Sequence, residues 1–316
     1  MTRPATDLLI VLLSVSITTS HAQTQFFSDE SDPWRSENLG DLRPDRTVIT
    51  YSDDNSETYI SGRIGGDGGC YMPESQLSQF QPGPQSLVQQ VRPLPYFTGI
   101  VTSGPINVDL QIGSVESVTI EARADVLPYI DIRLSPFDAG TLRVSLVDPN
   151  GRPVSSVTTQ NGVNFICLQG ALYYIGAVRI TVTLRSLSSI DIRGSGDVVA
   201  LTPVTTPSLT VTIHGSGNVR AIIQAGRLAV DVSGAGKVSL SGAAVHADLE
   251  LGGAGAIHGE NLLTDTADAT VRGVGSVFVN CRGYLSAKVT GIGNVFYRGG
   301  ARVSQTVTGM GRVSPF

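Results

Sequence analysis

Asp231 stands in "AVDVSGAG" and Glu250 in "DLELGGAG", 19 residues later and at the same place relative to a Gly-x-Gly turn. If the two phrases lie side by side on neighbouring strands, the carboxylates are roughly 5 Å apart. Such a pair raises the proton affinity of one member, as acid–base work on a glycosidic bond or the holding of a cation requires. Asp191 occupies the same place in an earlier phrase. The plainer reading is a solvated acidic stripe, relieved by Lys237 or Lys288 nearby. Phe278 and Phe296 also share a place, 18 residues apart. Pointing outward, they form an aromatic shelf that could meet a sugar face, although ladder packing explains them nearly as well.

Other chemistries find less support. His214, His246 and His258 have no ligand spacing with acidic or thiol partners, so no metal site is expected. The three cysteines, Cys70, Cys167 and Cys281, are too few and too odd in number for a disulfide scaffold. Cys167 and Cys281 are about six coils apart, beyond disulfide reach, which leaves Cys70 as the better candidate for an intermolecular bridge. "GAGKVS" fails as a phosphate loop, with Val238 where Ser or Thr is needed and Asp231 in place of the first glycine. Calcium-binding repeats need an acid in every turn, but the position after the second glycine reads Asp197, Asn218, Lys237, Ala256, Ser276, Asn294, Arg312. There is no Gly-x-Ser-x-Gly elbow and no Ser/His/Asp set. Neither catalytic residues nor a cofactor are expected.

The elements that place these side chains follow from the repeat itself. The phrase recurs seven times, with first glycines Gly194, Gly215, Gly234, Gly253, Gly273, Gly291 and Gly309, at steps of 21, 19, 19, 20, 18 and 18 residues. At about 3.3 Å per strand residue, one step makes a coil of two or three short strands, and stacked coils pair each strand with its equivalent. The columns agree. Ile190/Ile192, Val211/Ile213, Val230/Val232, Leu249/Leu251, Ala269/Val271 and Ala287/Val289 point inward, as do Val198, Val219, Val238, Ile257, Val277, Val295 and Val313. Between them Asp191, Thr212, Asp231, Glu250, Thr270, Lys288 and Thr306 point outward. The glycines read as corners that accept positive φ and let coils approach closely. The residue between them grows from Ser195 and Ser216 through Ala235, Ala254, Val274 and Ile292 to Met310, as if filling a widening space. The expected fold is all-β, a single-stranded parallel β-helix (β-solenoid) with coils of about 18–21 residues.

The rest of the chain sets the context. Its 316 residues include 36 glycines and carry a net charge of −5, with no sign of the basic face that nucleic acid calls for. Arg3, the apolar run from Leu8 to Val15 and Ser20-His21-Ala22 read as a secretory signal over residues 1–22. No second long apolar run follows, so no transmembrane segment is expected after its removal. Residues 23–91 read as a low-complexity leader broken by Pro82-Gly83-Pro84, with a hairpin at 47–64 around Asp53-Asp54-Asn55. That hairpin could cover the first coil. In the last coil Gln305, Arg312 and Pro315 either blunt the open edge or meet a second molecule there.

From residue 92 to 316 the order "RPLPYFTGIVTSGPINVDLQIG", "VTIEARADVLPYIDIRL", "TLRVSL", "VRITVTLRSLSSIDIRGSGDV" resembles the head GIN domain of putative autotransporter adhesins. The resemblance implies a right-handed β-helix at the cell surface or outside the cell, with no established catalytic residues to carry over. The leader and the stretch around 147–175 depart from it. The expectation is a secreted or cell-surface, non-enzymatic protein presenting a rigid surface to glycans or surface polymers. The candidate surface residues are Asp191, Asp231, Glu250, Phe278 and Phe296. A polysaccharide-cleaving β-helix enzyme and a purely structural envelope or matrix component are the alternatives.

Overall fold

The structure is a computed structural model that describes the backbone of residues 48–53, 56–61, 63–64, 70–71, 87–136, 140–148, 151, 154, 157–160, 163–168, 171–174 and 178–316, and side chains only of 87–136, 140–148, 151, 154 and 178–316. The signal at 1–22, much of the leader and the side chains of Cys70 and Cys167 lie outside the described residues.

Strand alternation builds a parallel stack. Asn218–Val232, Lys237–Leu251, Ala256–Val271 and Val274–Val289 run side by side, with Val204–Ile213 before them. The next coil, Ile292–Arg298 and Arg302–Val307, lies on Val274–Val289, and Arg312–Pro315 continues onto Ile292–Arg298. The result is a β-solenoid of about seven turns. Register follows the Gly-x-Gly phrase, so Asp191, Thr212, Asp231, Glu250, Thr270, Lys288 and Thr306 form one unbroken row. The aliphatic columns on either side of that row are buried from Ile190/Ile192 to Ala287/Val289. In the last coil the pattern loosens, and Gln305 is exposed.

At the corners the glycines answer a steric demand. A Cβ built on Gly234 would sit 1.9 Å from the Gly215 carbonyl oxygen, and one on Gly215 would sit 1.8 Å from that of Gly194. The corners stack because their amides continue the ladder: Ser216, Ala235, Ala254 and Val274 each donate to the first glycine one coil back, at 2.9–3.0 Å. Left-handed backbone, expected at these corners, occurs among the paired glycines only at Gly275 (φ 149°). The residue between the glycines also departs from expectation. It points into solvent instead of filling an internal space, with Val274 and Ile292 each 54% exposed and Met310 79%.

Differences in coil length are taken up elsewhere. Register between Lys237–Leu251 and Ala256–Val271 slips between Ser239 and Ser241, and with the following coil it slips between Gly259 and Leu263 and again between Thr264 and Thr266. Both regions are remote from the Gly-x-Gly corner, whose columns stay aligned.

The first coil, Gly99–Ser103 and Val108–Ile112, is parallel to Ser189–Ile192 and Val198–Ala200 on one side. On its other side the chain does not simply add another coil. Thr141–Ser145 and Ile180–Leu184 pair parallel to it, then antiparallel strands finish the stack: Ile130–Leu134 on Leu142–Leu146, Ser117–Glu121 on Arg179–Thr183, and Leu87–Pro93 on Ser117–Arg123. This cap, built from within residues 87–184, covers the edge of the first coil, a place the sequence reading gave to the hairpin at 47–64. Antiparallel pairing turns the chain back and ends the ladder without a long bare parallel edge. In the hairpin region, Val48–Asp53 pairs antiparallel with Ser56–Ser61. Within 147–175, Val157–Gln160, Val163–Leu168 and Ala171–Tyr174 form an antiparallel three-stranded sheet. The cap is locked by Arg185, whose guanidinium grips the buried Glu116 carboxylate through two 2.8 Å hydrogen bonds. Those bonds hold the Glu116 carboxyl below its ordinary range against the opposing effect of burial, and they raise Arg185 in turn.

Among the described residues the one helical element is the 3-10 turn Leu127–Tyr129, and no helix is long and apolar enough to cross a membrane.

Candidate functional site

Each solenoid strand shows alternate side chains outward, so equivalent residues of successive coils line up at about 4.8 Å spacing. With the strand residues before each Gly-x-Gly corner taken as a first sheet and those after it as a second, Asp231 and Glu250, on the first, are direct register partners. Asp191 is separated from Asp231 by Thr212 in the same row. Asp191 is held by Arg193 at 2.8 Å and lies 4.0 Å from His214 Nε2. Glu250 is ion-paired with Arg272, one coil on and beside the corner, and not with Lys237 or Lys288. Glu250 is therefore compensated by a cation and does not stand beside Asp231 as a second uncompensated carboxylate. The carboxylate row is also wider than the sequence reading made it. Asp248 and Asp268 are register partners one row over, and Asp268 lies 3.6 Å from His246 Nε2. Reading the repeat two residues earlier exposes that row: Ser189, Thr210, Ala229, Asp248, Asp268, Ser286, Ser304.

The second sheet carries the aromatic row. Phe278 stacks on Phe296 with centroids 5.1 Å apart, and His258 stacks on the other face of Phe278 at 4.9 Å. The Arg312 guanidinium lies over Phe296, 5.6 Å from its centroid. Both faces of Phe278 are thus occupied and Phe296 is enclosed between a ring and a guanidinium. Phe316 meets Phe278 edge-on at 5.7 Å. A sugar stacks on an open ring face, and these faces are occupied by His258, the neighbouring ring and the Arg312 guanidinium. His258 directs Nδ1 to Glu260 Oε1 at 3.2 Å. Among the described residues no group of three or more histidine, cysteine or acidic side chains is placed to hold a metal. Cys281 is buried and unpaired.

A cleft of about 380 Å³ opens where the cap meets the stack. Asn107, Asp109, Glu121, Arg179, Asp197 and Val199 form most of its wall. Asn107 Oδ1 accepts the Asp197 N–H at 2.9 Å, and Asp197 Oδ1 accepts the Asn218 backbone and side-chain amides at 2.9 and 2.8 Å. Arg179 pairs with Glu121 at 3.3 Å. The second Asp197 oxygen, the Asn107 amide and Asp109 make a polar wall suited to hydroxyl groups, beside aliphatic Val178 and Val199. Sequence reasoning missed this site because Glu121 and Arg179 come from the cap, outside the glycine repeat. The row through Asp197 and Asn218 was its only visible signal.

Comparison with known proteins bears on the solenoid as a whole. A putative adhesin from Bacteroides fragilis is 23% identical, with a TM-score of 0.62, over 74% of this chain and 98% of that one. A putative adhesin from Parabacteroides distasonis is 19% identical with a TM-score of 0.54 over the same shares. A putative lipid binding protein from the same species is 17% identical, with a TM-score of 0.52, over 72% of this chain and 96% of that one. At these identities the likeness is one of fold. No curated protein matches the chain. The sequence profile described as putative auto-transporter adhesin, head GIN domain, matches residues 96–301, from just after the outermost cap strand to the Gly299-Gly300 turn, and the chain belongs to that family.

Proposed function

We propose that this protein is a non-enzymatic, adhesin-like binding module at the cell surface or outside the cell, recognising glycans or other surface polymers. The observation that carries the reading is the rigid register: polar rows run straight across successive coils, so a polymer lying along the stack meets one polar side chain per coil at a fixed step. Membership of an adhesin head-domain family supports the adhesin-like role. The cleft residues Asn107, Asp109 and Asp197 supply hydrogen-bonding groups for sugar hydroxyls, and Asp231 and Asp248 extend the polar surface on the other sheet.

The test exposes the purified protein to immobilised polysaccharides and scores retained protein and newly released sugar ends in the same wells. Retention without release, weakened in Asp109→Asn or Asp231→Asn, is the expected result. Release that vanishes in Asp231→Asn or Glu250→Gln would make the protein an enzyme. Neither retention nor release would leave a structural role in an envelope or matrix.

A further inference from the structure

The column between the paired glycines plays no part in that reading, yet it changes character along the stack. Ser195, Ser216, Ala235, Ala254, Val274, Ile292 and Met310 are all exposed, and they pass from polar through small to large and aliphatic. Val274 and Ile292 are register partners, and Met310 donates its amide to the Gly291 carbonyl at the same corner, at 3.0 Å. The three side chains therefore form one continuous ridge.

Charge changes in the same direction. Residues 269–316 contain Arg272, Arg282, Lys288, Arg298, Arg302 and Arg312 and no Asp or Glu, whereas the rest of the chain has 16 basic and 27 acidic residues. Arg272 and Arg282 are paired with Glu250 and Asp265 of earlier coils. Lys288, Arg298, Arg302 and Arg312 have no acidic partner among the described residues: Arg298 donates to the Glu260 carbonyl, and Arg312 covers Phe296. Exposed aliphatics are ordinary one at a time. An aliphatic ridge confined to the coils that are purely basic is a different pattern. Peripheral membrane binding sums these two terms, insertion of apolar side chains and attraction of cations to anionic headgroups. A soluble polyanion would use the charges and leave the ridge without a role.

We propose that this corner docks on an anionic lipid bilayer. Val274, Ile292 and Met310 enter the boundary between headgroups and acyl chains, and Lys288 and Arg312, which flank the corner on either side, lie beside the phosphates. The proposal is independent of glycan recognition, which uses the two sheets and the cleft.

The full chain is sedimented with vesicles of phosphatidylcholine alone and of phosphatidylcholine mixed with phosphatidylglycerol. The protein is expected to pellet with the anionic vesicles only, and less so as salt is raised. Lys288→Gln or Arg312→Gln should weaken binding about fivefold each, the effect of one basic residue near such a surface. Met310→Asp and Ile292→Asp should weaken it at least as much, with Met310→Ser as the milder variant and thermal melting confirming that each is folded. Absence of binding to anionic vesicles overturns the proposal. So does a folded ridge variant that pellets like the wild type, and if soluble polyphosphate then competes fully, the partner is a polyanion and not a bilayer.

Discussion

Replacing Gly234 by alanine tests whether coil spacing, and not backbone conformation, dictates the repeated glycine. The new Cβ would stand 1.9 Å from the Gly215 oxygen and 2.6 Å from the His214 oxygen. Both obstacles are backbone, so no side-chain rotation relieves them, and the coil must move by more than an ångström. Overpacking of this kind costs about 1–3 kcal/mol, and the strained carbonyl is also the acceptor for Ala235 N–H, at 3.0 Å, which adds about 1 kcal/mol if lost. Alanine recovers roughly 0.4–1 kcal/mol by restricting the unfolded chain. The net loss is about 2 kcal/mol. Gly300 provides the contrast, since it has φ 81° and nothing within 4 Å of an added Cβ. There alanine pays only for the left-handed backbone, about 1–2 kcal/mol before the same recovery. Urea denaturation followed by far-ultraviolet circular dichroism compares the two variants. If Gly234→Ala is no less stable than Gly300→Ala, steric contact between coils is not why the phrase repeats.

Two further changes probe the cap and the aromatic row. Glu116→Gln removes the anion that Arg185 grips; because the folded carboxyl lies below the usual value of 4.5, its stabilisation is complete above that pH and fades as pH falls through the lowered value. The wild type should therefore lose more stability than the variant on acidification from neutrality, and parallel pH–stability curves would contradict the ion pair's role. Phe278→Ala takes the middle ring from between His258 and Phe296 and should cost about 2–4 kcal/mol in the same denaturation assay, whereas Phe316→Ala, at a ring 52% exposed, should cost under about 1 kcal/mol. Equal losses would mean that the stacked row does not hold the coils together.

The inward and outward columns of the solenoid were legible because a period of two and a step of 18–21 residues specify both the face and the neighbour of each side chain. Asp231 and Glu250 could be placed side by side for that reason. The cap was not legible as a cap. Its strands alternate as cleanly as the coils, for instance in Ser117–Arg123, but alternation carries no information about parallel or antiparallel pairing. The outward turn of Val274, Ile292 and Met310 was misread because two flanking glycines interrupt the alternation that assigns a side. Phe278 and Phe296 were placed in adjacent coils correctly, while the closing of their faces depended on His258 and Arg312, whose ring and guanidinium contacts no spacing rule anticipates. Glu116 and Arg185 are 69 residues apart, and only the folded cap brings them together.

Slippage confined to the side of the coil away from Gly-x-Gly separates two kinds of change that a lineage can accumulate. An inserted or deleted residue near Ser241 or within 260–265 is absorbed as a local bulge, and the rows through Asp231 and Phe278 keep their alignment. Added at the glycine corner, the same residue would reverse inside and outside for every strand residue up to the next bulge. One side of this protein thus behaves as an expansion joint and the other as a datum line. A graft meant to add a loop belongs on the first, and one meant to redraw the surface must keep the count on the second.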